Sequence, residues 1–256
     1  MFSSFEKKSV FLITLIYFFR MLGAFMIFPV LSVFADSYHM STPLLIGVTL
    51  GIYGLTNAIM QIPFGLLSDR YGRKNIIILG LFIFLIGSVI CAITDNIYYL
   101  ILGRALQGAG AISGALMALL SDSTQEKNRT ISMAIVGVAI GAAFFSAFIV
   151  GPIVSKYYNL SGVFVLILML TILSIILVFL FNNIPIKKNV SFKYSVKQLV
   201  YNRKLNSYFI DILILHTILT SIFIAIPVMM TELYSISVDD FPQLYSSIFI
   251  LRHFRL

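Results

Sequence analysis

Long apolar runs alternate with short polar connections along most of this chain. Seven of the runs are long enough to cross the ~30 Å hydrocarbon core of a bilayer as helices, whereas an eighth, at about 244–251, is too short. The seven lie at about 10–34, 44–68, 75–93, 98–121, 131–155, 161–183 and 206–230. The pattern predicts an all-α integral membrane protein that has the lipid bilayer as its main partner.

The composition agrees with this prediction and excludes several kinds of site. Of the 256 residues, 59% are hydrophobic and 11% are charged, which is unlike a soluble domain. The single cysteine, Cys91, lies in an apolar run and rules out a disulfide framework or a Cys-rich metal site. We therefore expect no metal and no cofactor. The first apolar run follows Lys7 and Lys8 as in a signal peptide, but Arg20 interrupts it and no cleavage site closes it, so a retained span is expected.

The net charge of +8 follows the predicted topology. If the N-terminus is cytoplasmic, thirteen Lys and Arg residues lie in inner segments, whereas the outer segments before the last run hold Lys156 alone. The positive-inside rule then predicts a multi-pass protein with a cytoplasmic N-terminus. Because topology accounts for the basic residues, a nucleic-acid partner is not expected.

The longest connection divides the chain. Residues 184–205 contain Pro185 and a cluster of Lys and Arg, which is typical of a cytoplasmic linker. We expect a six-helix transmembrane half at 1–183, a basic linker at 184–205 and an incomplete start of a second half at 206–256.

The connection between the second and third predicted spans carries a dense polar motif, Gly65-Leu-Leu-Ser-Asp69-Arg70-Tyr-Gly72-Arg73-Lys74. A carboxylate at the end of one helix, a turn glycine and three cations before the next predict a tight hairpin pinned by ion pairs. From the residues alone, an ordinary basic loop that happens to contain Asp and Gly is an equally good interpretation.

This motif resembles the loop between helices two and three of the major facilitator superfamily, whose pattern is G-x-L-a-D-R-x-G-R-K. The fourth span adds Arg104-Ala-Leu-Gln107-Gly108-Ala-Gly110-Ala-Ile, which is similar to the family's R-x-x-Q-G-x-G-A-A motif. The resemblance implies a six-helix bundle of two inverted three-helix repeats, followed in the family by a second such half. It also implies that the loop motif is a conformational element, with Asp69 bonding to a helix of that second half.

Two further segments resemble twelve-helix drug:proton antiporters. They are Leu22-Gly23 with Phe28-Pro29-Val30-Leu31, and Gly151-Pro152 of the fifth span; Ser32, Ala147, Ser155 and Lys156 depart from the antiporter patterns. The first-span run from Arg20 to Ser32 and the run from Leu215 to Pro227 look most similar to bacterial YajR-type transporters, which implies a location in the bacterial inner membrane. Close helix packing is expected at Gly108, Gly110, Gly151 and Pro152, and at the pairs Gly47/Gly51 and Gly137/Gly141.

Two arginines within the spans are the main candidates for chemistry. An ionised side chain at a helix centre costs at least about 2.5 kcal/mol and should face a cavity or a partner. The inverted repeats implied by the resemblance make the first and fourth helices equivalent, which would place Arg20 and Arg104 in one cavity with Gln107. These three residues are the predicted transport pathway. The alternative is that the arginines snorkel to the membrane interface.

Asp36, Asp211 and His216 are the other titratable groups at or near the spans, and each could take part in proton transfer. The alternatives are a solvated loop residue for Asp36 and a hydrogen-bonded core residue for His216. No HExxH, GxSxG or paired intramembrane aspartates are present, so an enzyme is not expected.

Two functional hypotheses follow. In the first, the chain is an incomplete, about half-length transporter that exports small organic solutes in exchange for protons by alternating access. In the second, it is a non-transporting remnant or interaction module from a truncated or split gene. Either a separately encoded second half or self-association would then cover its polar face. The identity of the substrate is not readable from the residues.

Overall fold

The structure is a computed structural model that describes residues 2–34 and 37–181, together with individual positions between 207 and 243. Residues 2–34 and 37–181, the continuous described part, are almost entirely helical, and the isolated bridge between His39 and Asn96 joins two loops. The all-α fold is thus confirmed. The helices are α1 (Ser4–Met26), α2 (Phe28–Phe34), α3 (Pro43–Tyr71), α4 (Arg73–Ile93), α5 (Ile97–Ala109), α6 (Ser113–Asp122) and α7 (Glu126–Phe179).

Among the described residues, 5 helical stretches are long and apolar enough to cross a membrane. Helices α1 and α2 together form the first stretch, and α5 and α6 together form the fourth. The stretches are Ser4–Leu31, Pro43–Tyr71, Arg73–Ile93, Ile97–Asp122 and Glu126–Phe179. The chain is therefore an integral membrane protein, as its apolar runs predict.

Helix α7 is 54 residues long and reverses its direction at Asn159, where φ is 56° and ψ is −166°. In a straight helix, residues 151 and 167 would lie ~24 Å apart at 1.5 Å per residue. Both nevertheless pack against one turn of α1. A Cβ atom on Gly151 would lie 2.8 Å from the Met26 carbonyl oxygen, and one on Gly23 would lie 3.3 Å from Ile167. The two arms of α7 are thus neighbouring crossings.

The described part therefore crosses the membrane six times, at the positions of the first six predicted spans. Of the seventh predicted span, the described positions between 207 and 230 are helical. The rest of that span, the linker at 184–205 and the short run at 244–251 lie outside the described residues.

Local sequence accounts for the helix ends. Ser3 and Glu6 form a capping box at the start of α1. Thr42 caps α3, which has Pro43 in its first turn. The turn from α3 to α4 is made by Gly72 alone, whose φ of 94° disfavours any residue with a side chain.

Helix α5 lies unusually close to α3 and α4 because glycines line the contacts. A Cβ atom on Gly103 would lie 2.8 Å from the Gly87 carbonyl oxygen of α4, and one on Gly108 would collide with Thr56 and the Tyr53 carbonyl group of α3. A Cβ atom on Gly110, just after α5, would similarly collide with the Gly80 carbonyl group. Gly108 and Gly110 thus occupy close contacts, and Gly151 and Pro152 are buried in α7.

Other glycines face open space. No described atom lies within 4 Å of a Cβ position at Gly47, Gly51, Gly54, Gly65, Gly137 and Gly141. The pairs Gly47/Gly51 and Gly137/Gly141 were expected to pack against helices, and within the described part of the chain they do not. These glycines lie on α3 and on the first arm of α7, and only five of the 29 residues of α3 are buried.

Candidate functional site

A buried chain of polar groups connects α5 to α4 in the interior of the bundle. The Nη1 atom of Arg104 donates to Oε1 of Gln107 at 2.7 Å, and Nε2 of Gln107 donates to the Ser88 hydroxyl group at 2.9 Å. The Ser88 hydroxyl donates in turn to the Phe84 carbonyl oxygen at 2.8 Å. Arg104, Gln107 and Ser88 are all 0% exposed. Sequence reasoning identified the first two and missed Ser88, a single hydroxyl in an apolar run.

The guanidinium group of Arg104 lies over the ring of Tyr53 on α3, with Cζ 4.5 Å from the ring centroid. This cation–π contact and the bond to Gln107 hold the side chain within the bundle. Snorkelling to the interface is therefore not what Arg104 does in this structure. Its Nε and Nη2 atoms have no hydrogen-bond partner among the described residues.

Arg20 of α1 is 4% exposed, and its Cζ atom lies 5.2 Å from the centroid of the Phe84 ring. All three of its guanidinium nitrogens lack a hydrogen-bond partner among the described residues. Phe84 and Ser88 are one turn apart on α4. The structure thus brings Arg20 to the same turn of α4 that Arg104 reaches through Gln107.

Tyr17, one turn before Arg20, binds the chain where α5 is followed by α6. Its hydroxyl group donates to the Ser113 carbonyl oxygen at 2.6 Å. This bond connects α1 to Ser113, the first residue of α6, just after the non-helical residues that begin at Gly110. Sequence reasoning did not single out Tyr17, because its partner is a backbone atom ninety-six residues away.

Acidic residues are confined to the helix ends and the loops of the continuous described part. In residues 2–34 and 37–181 they are Glu6, Asp69, Asp95, Asp122 and Glu126. Two of the predicted proton-linked residues, Asp36 and His216, lie outside the described residues. Asp211 is described as a helical, exposed position. The described spans therefore place two arginines in the interior with no carboxylate beside them.

The loop motif forms an ion-paired hairpin at the basic end of the bundle, which is the end where α1 and α4 begin. Arg73 pairs with Asp69 across the turn and donates through Nε to Asp122 of α6 at 3.2 Å. Its Nη1 atom also donates to the Ser68 hydroxyl group at 2.7 Å. Asp69 thus has a partner within its own hairpin, and Arg73 joins that hairpin to the fourth crossing.

Lys74 ties the same hairpin to the end of the sixth crossing. Its ammonium group donates to the Phe181 carbonyl oxygen at 2.9 Å and to that of Phe179 at 3.4 Å. A cation at the last carbonyl groups of α7 is favourable because these groups form the negative end of the helix dipole. Arg70 lies against the Tyr71 ring, 5.4 Å from its centroid.

Glu6 forms a second clamp at the basic end, and sequence reasoning missed it. One carboxylate oxygen accepts from the Gln125 amide at 2.7 Å and from the Asn128 side chain at 3.1 Å. The other accepts from the Ser3 amide at 2.8 Å. Glu6 therefore fastens the start of α1 to the start of α7.

Comparisons with known proteins agree with this architecture. The sequence profile of the Major Facilitator Superfamily matches residues 13–252. The chain is 41% identical to the inner membrane transport protein YajR of Escherichia coli (strain K12) over 227 residues, which cover 87% of this chain and 50% of that protein. It is 36% identical to multidrug resistance protein 2 of Bacillus subtilis (strain 168) over 154 residues, which cover 57% of this chain and 36% of that protein.

A solved structure of a bacterial homolog of the human lysosomal transporter Spinster, in an inward-facing and unoccupied conformation, has a similar fold. The TM-score is 0.72 at 14% sequence identity, and the match covers 96% of this chain and 60% of that chain. This likeness concerns the fold alone. The chain spans about half the length of the YajR relative and a smaller share of the Bacillus protein.

Proposed function

The chain belongs to the Major Facilitator Superfamily, and we propose that it forms one half of a proton-coupled exporter of small organic solutes that works by alternating access. In such transporters the solute is held near the middle of the membrane between two halves that rock against each other. The six described crossings are the half that we assign to this chain. Arg20, Arg104 and Gln107 line the pathway in this proposal.

The observation that carries the proposal is the buried chain from Arg104 through Gln107 to Ser88. A membrane protein that needed only to fold would avoid a fully buried guanidinium group, because ionisable groups in the hydrocarbon region are costly. The name of the Bacillus relative, a multidrug resistance protein, supports export as the direction of transport.

We also propose that the basic end faces the cytoplasm of a bacterium and that the protein lies in the inner membrane. The positive-inside rule supports the orientation, because the basic end carries Lys7, Lys8, Arg70, Arg73, Lys74, Lys127 and Arg129. The name of the Escherichia coli relative, an inner membrane transport protein, supports the location. In this orientation the ion-paired hairpin is a latch on the cytoplasmic face.

Cysteine labelling of intact cells tests this orientation. With Cys91 replaced by serine, we expect a membrane-impermeant maleimide to label Ser37→Cys, which is exposed at the opposite end, and not Gln125→Cys, which is exposed at the basic end. After the cells are permeabilised, both should react. Labelling of Gln125→Cys but not Ser37→Cys in intact cells would reverse the topology.

Solute-dependent proton movement tests the transport function. We suggest a fusion of residues 1–205 to the second half of the Escherichia coli relative, reconstituted in liposomes that have an acidic lumen and contain the pH dye pyranine. A panel should include a quaternary ammonium dye, a neutral polyol, an aromatic sulfonate and an aromatic carboxylate such as 4-fluorobenzoate. We expect at least one solute, added outside, to raise the pH of the lumen faster than in protein-free vesicles. If no member does so with correctly folded protein, the proposal is wrong.

The second candidate function is a non-transporting interaction module. The half-length match to the relatives is the observation that favours it. The nucleotide sequence after codon 256 distinguishes the two candidates cheaply. A second half encoded there, in any frame or as a neighbouring gene, favours the transporter, because alternating access needs a second bundle to face the first.

A further inference from the structure

Two buried guanidinium groups in this bundle have nitrogen atoms that no described residue binds, and we propose that they receive the carboxylate group of a small organic anion. Arg20 is the main ligand in this proposal, and Arg104 of α5 is a second cation that is linked through Gln107 to the same turn of α4. The proposal rests on the proposed transport function and names the class of its substrate. It also predicts binding that can be measured without transport.

Both buried guanidinium groups carry a positive charge. An arginine side chain stays protonated in proteins, so burial does not remove its charge. Arg20 and Arg104 are 4% and 0% exposed, and acidic residues in the continuous described part lie only at helix ends and in loops. The two charges therefore lack a carboxylate partner within the described spans. An anionic solute would supply the missing countercharge.

Both guanidinium groups also have hydrogen-bond donors that no described residue binds. Nε, Nη1 and Nη2 of Arg20 are all without a hydrogen-bond partner among the described residues, as are Nε and Nη2 of Arg104. Nε and one Nη atom of a guanidinium group form a planar fork that matches the two oxygens of a carboxylate. In Arg104, the bond from Nη1 to Gln107 fixes the orientation of the group. Both arginines therefore keep a pair of donors that such a fork requires.

The surroundings favour an anion with a single charge and an apolar body. Phe84 stacks against Arg20, and Tyr53 stacks against Arg104. Apolar side chains form the core around this turn of α4, including Leu22, Phe84 and Leu100. A ligand that reaches the two guanidinium groups would lie among these side chains, so the rest of its body should be aromatic or aliphatic.

A purely structural role is the alternative. In that case the stacking of Arg20 on Phe84 would hold α1 against α4, and removal of the side chain would weaken the bundle. If Arg20 instead serves a ligand, its unpaired charge is a cost to the ligand-free protein. Replacement by an apolar side chain of similar length should then leave the protein as stable as before or make it more stable.

Fluorine NMR on the purified 256-residue chain in a neutral detergent tests the proposal directly. The probe is 4-fluorobenzoate, and the matched neutral compound is 4-fluorobenzamide, which enters micelles without carrying a charge. We expect saturable broadening of the 4-fluorobenzoate signal and none for 4-fluorobenzamide beyond that in empty micelles. An equal concentration of chloride should not displace the carboxylate. Displacement by chloride would assign the site to inorganic anions and overturn the proposal.

The variants separate the arginines from general electrostatic attraction. We expect Arg20→Met to weaken 4-fluorobenzoate binding by about ten-fold or more, which corresponds to one lost charge-assisted pair. Arg20→Lys should weaken it less, because the charge stays and the fork is lost. The control is Lys156→Met, which removes an exposed cation at the end of the bundle opposite to the basic end. The affinity of this variant for 4-fluorobenzoate should not change. Equal affinity of Arg20→Met and the unchanged chain would refute the proposal.

Thermal unfolding of the same samples completes the test. The unfolding midpoint of Arg20→Met should equal or exceed that of the unchanged chain, and 4-fluorobenzoate should raise the midpoint of the unchanged chain only. A clearly lower midpoint for Arg20→Met, without any midpoint shift by 4-fluorobenzoate in the unchanged chain, would establish the structural role instead. Binding without transport by the fusion protein would refute the proposed function and leave this site in place. Transport by the fusion protein without binding of 4-fluorobenzoate would refute this site and leave the proposed function in place.

Discussion

Residues 1–256, purified and reconstituted without any other chain, are expected to drive no solute against a gradient. Alternating access needs two halves that rock around one site. The six described crossings supply one bundle, and α3 and the first arm of α7 present glycines that no described atom covers. Without a facing bundle, the pathway cannot open to one side of the membrane while it stays closed to the other.

The pyranine assay measures this prediction against an internal reference. The 256-residue chain and the fusion to the second half of the Escherichia coli relative are reconstituted at equal protein content. We expect solute-dependent proton movement for the fusion, and the signal of protein-free vesicles for the chain alone. Co-reconstitution with the second half as a separate chain should restore part of the activity. A gradient-driven signal from the 256 residues alone would show that two copies, or one bundle, are sufficient.

Replacement of Arg104 by alanine should reduce transport by the fusion protein by at least about ten-fold, the effect of one lost buried charge-assisted hydrogen bond. The change removes the charge and also leaves Oε1 of Gln107 without its 2.7 Å donor. Gln107 can then turn away from Ser88, so the variant affects the whole buried chain from α5 to α4. Arg104→Lys keeps the charge but not the planar fork, and an intermediate rate is expected.

Lys156→Ala is the matched control, because that lysine is exposed at the turn between the two arms of α7. Initial rates are compared at equal amounts of monodisperse protein in the vesicles, so that a folding defect is not counted as a transport defect. Equal rates for Arg104→Ala and Lys156→Ala would show that the guanidinium group is not part of the pathway. A loss in both would indicate that net positive charge, rather than the buried network, is required.

The positions of the six crossings could be predicted from the residues because the length of an apolar run is a local property. A run of about twenty apolar residues satisfies all of its backbone hydrogen bonds within one helix, whatever its neighbours are. Even the reversal at Asn159 lies between two runs that the sequence separates. The two motifs likewise placed Arg73, Lys74, Arg104 and Gln107 at the right helices before any contact was known.

The partners of those residues could not be predicted in the same way. Whether Arg73 would reach Asp122, or Lys74 the carbonyl groups at the end of α7, depends on how helices far apart in the chain are rotated and spaced. Ser88 and Tyr17 carried no signal of their own, and the capping box of Ser3 and Glu6 concerns only the start of α1. Their contacts between helices arise because a second part of the chain brings a polar atom within 3 Å of each.

The sequence by itself determined that this is a helical membrane protein, where its first six crossings lie and which polar side chains those crossings carry. Only the tertiary structure decided that Arg20 and Arg104 meet the same turn of α4, and that neither has a carboxylate beside it within the described spans. The physical reason is that the two kinds of structure depend on residues at different distances along the chain. Helix formation depends on neighbours along the chain, whereas a buried polar contact depends on close helix packing, which here requires the glycines between α4 and α5.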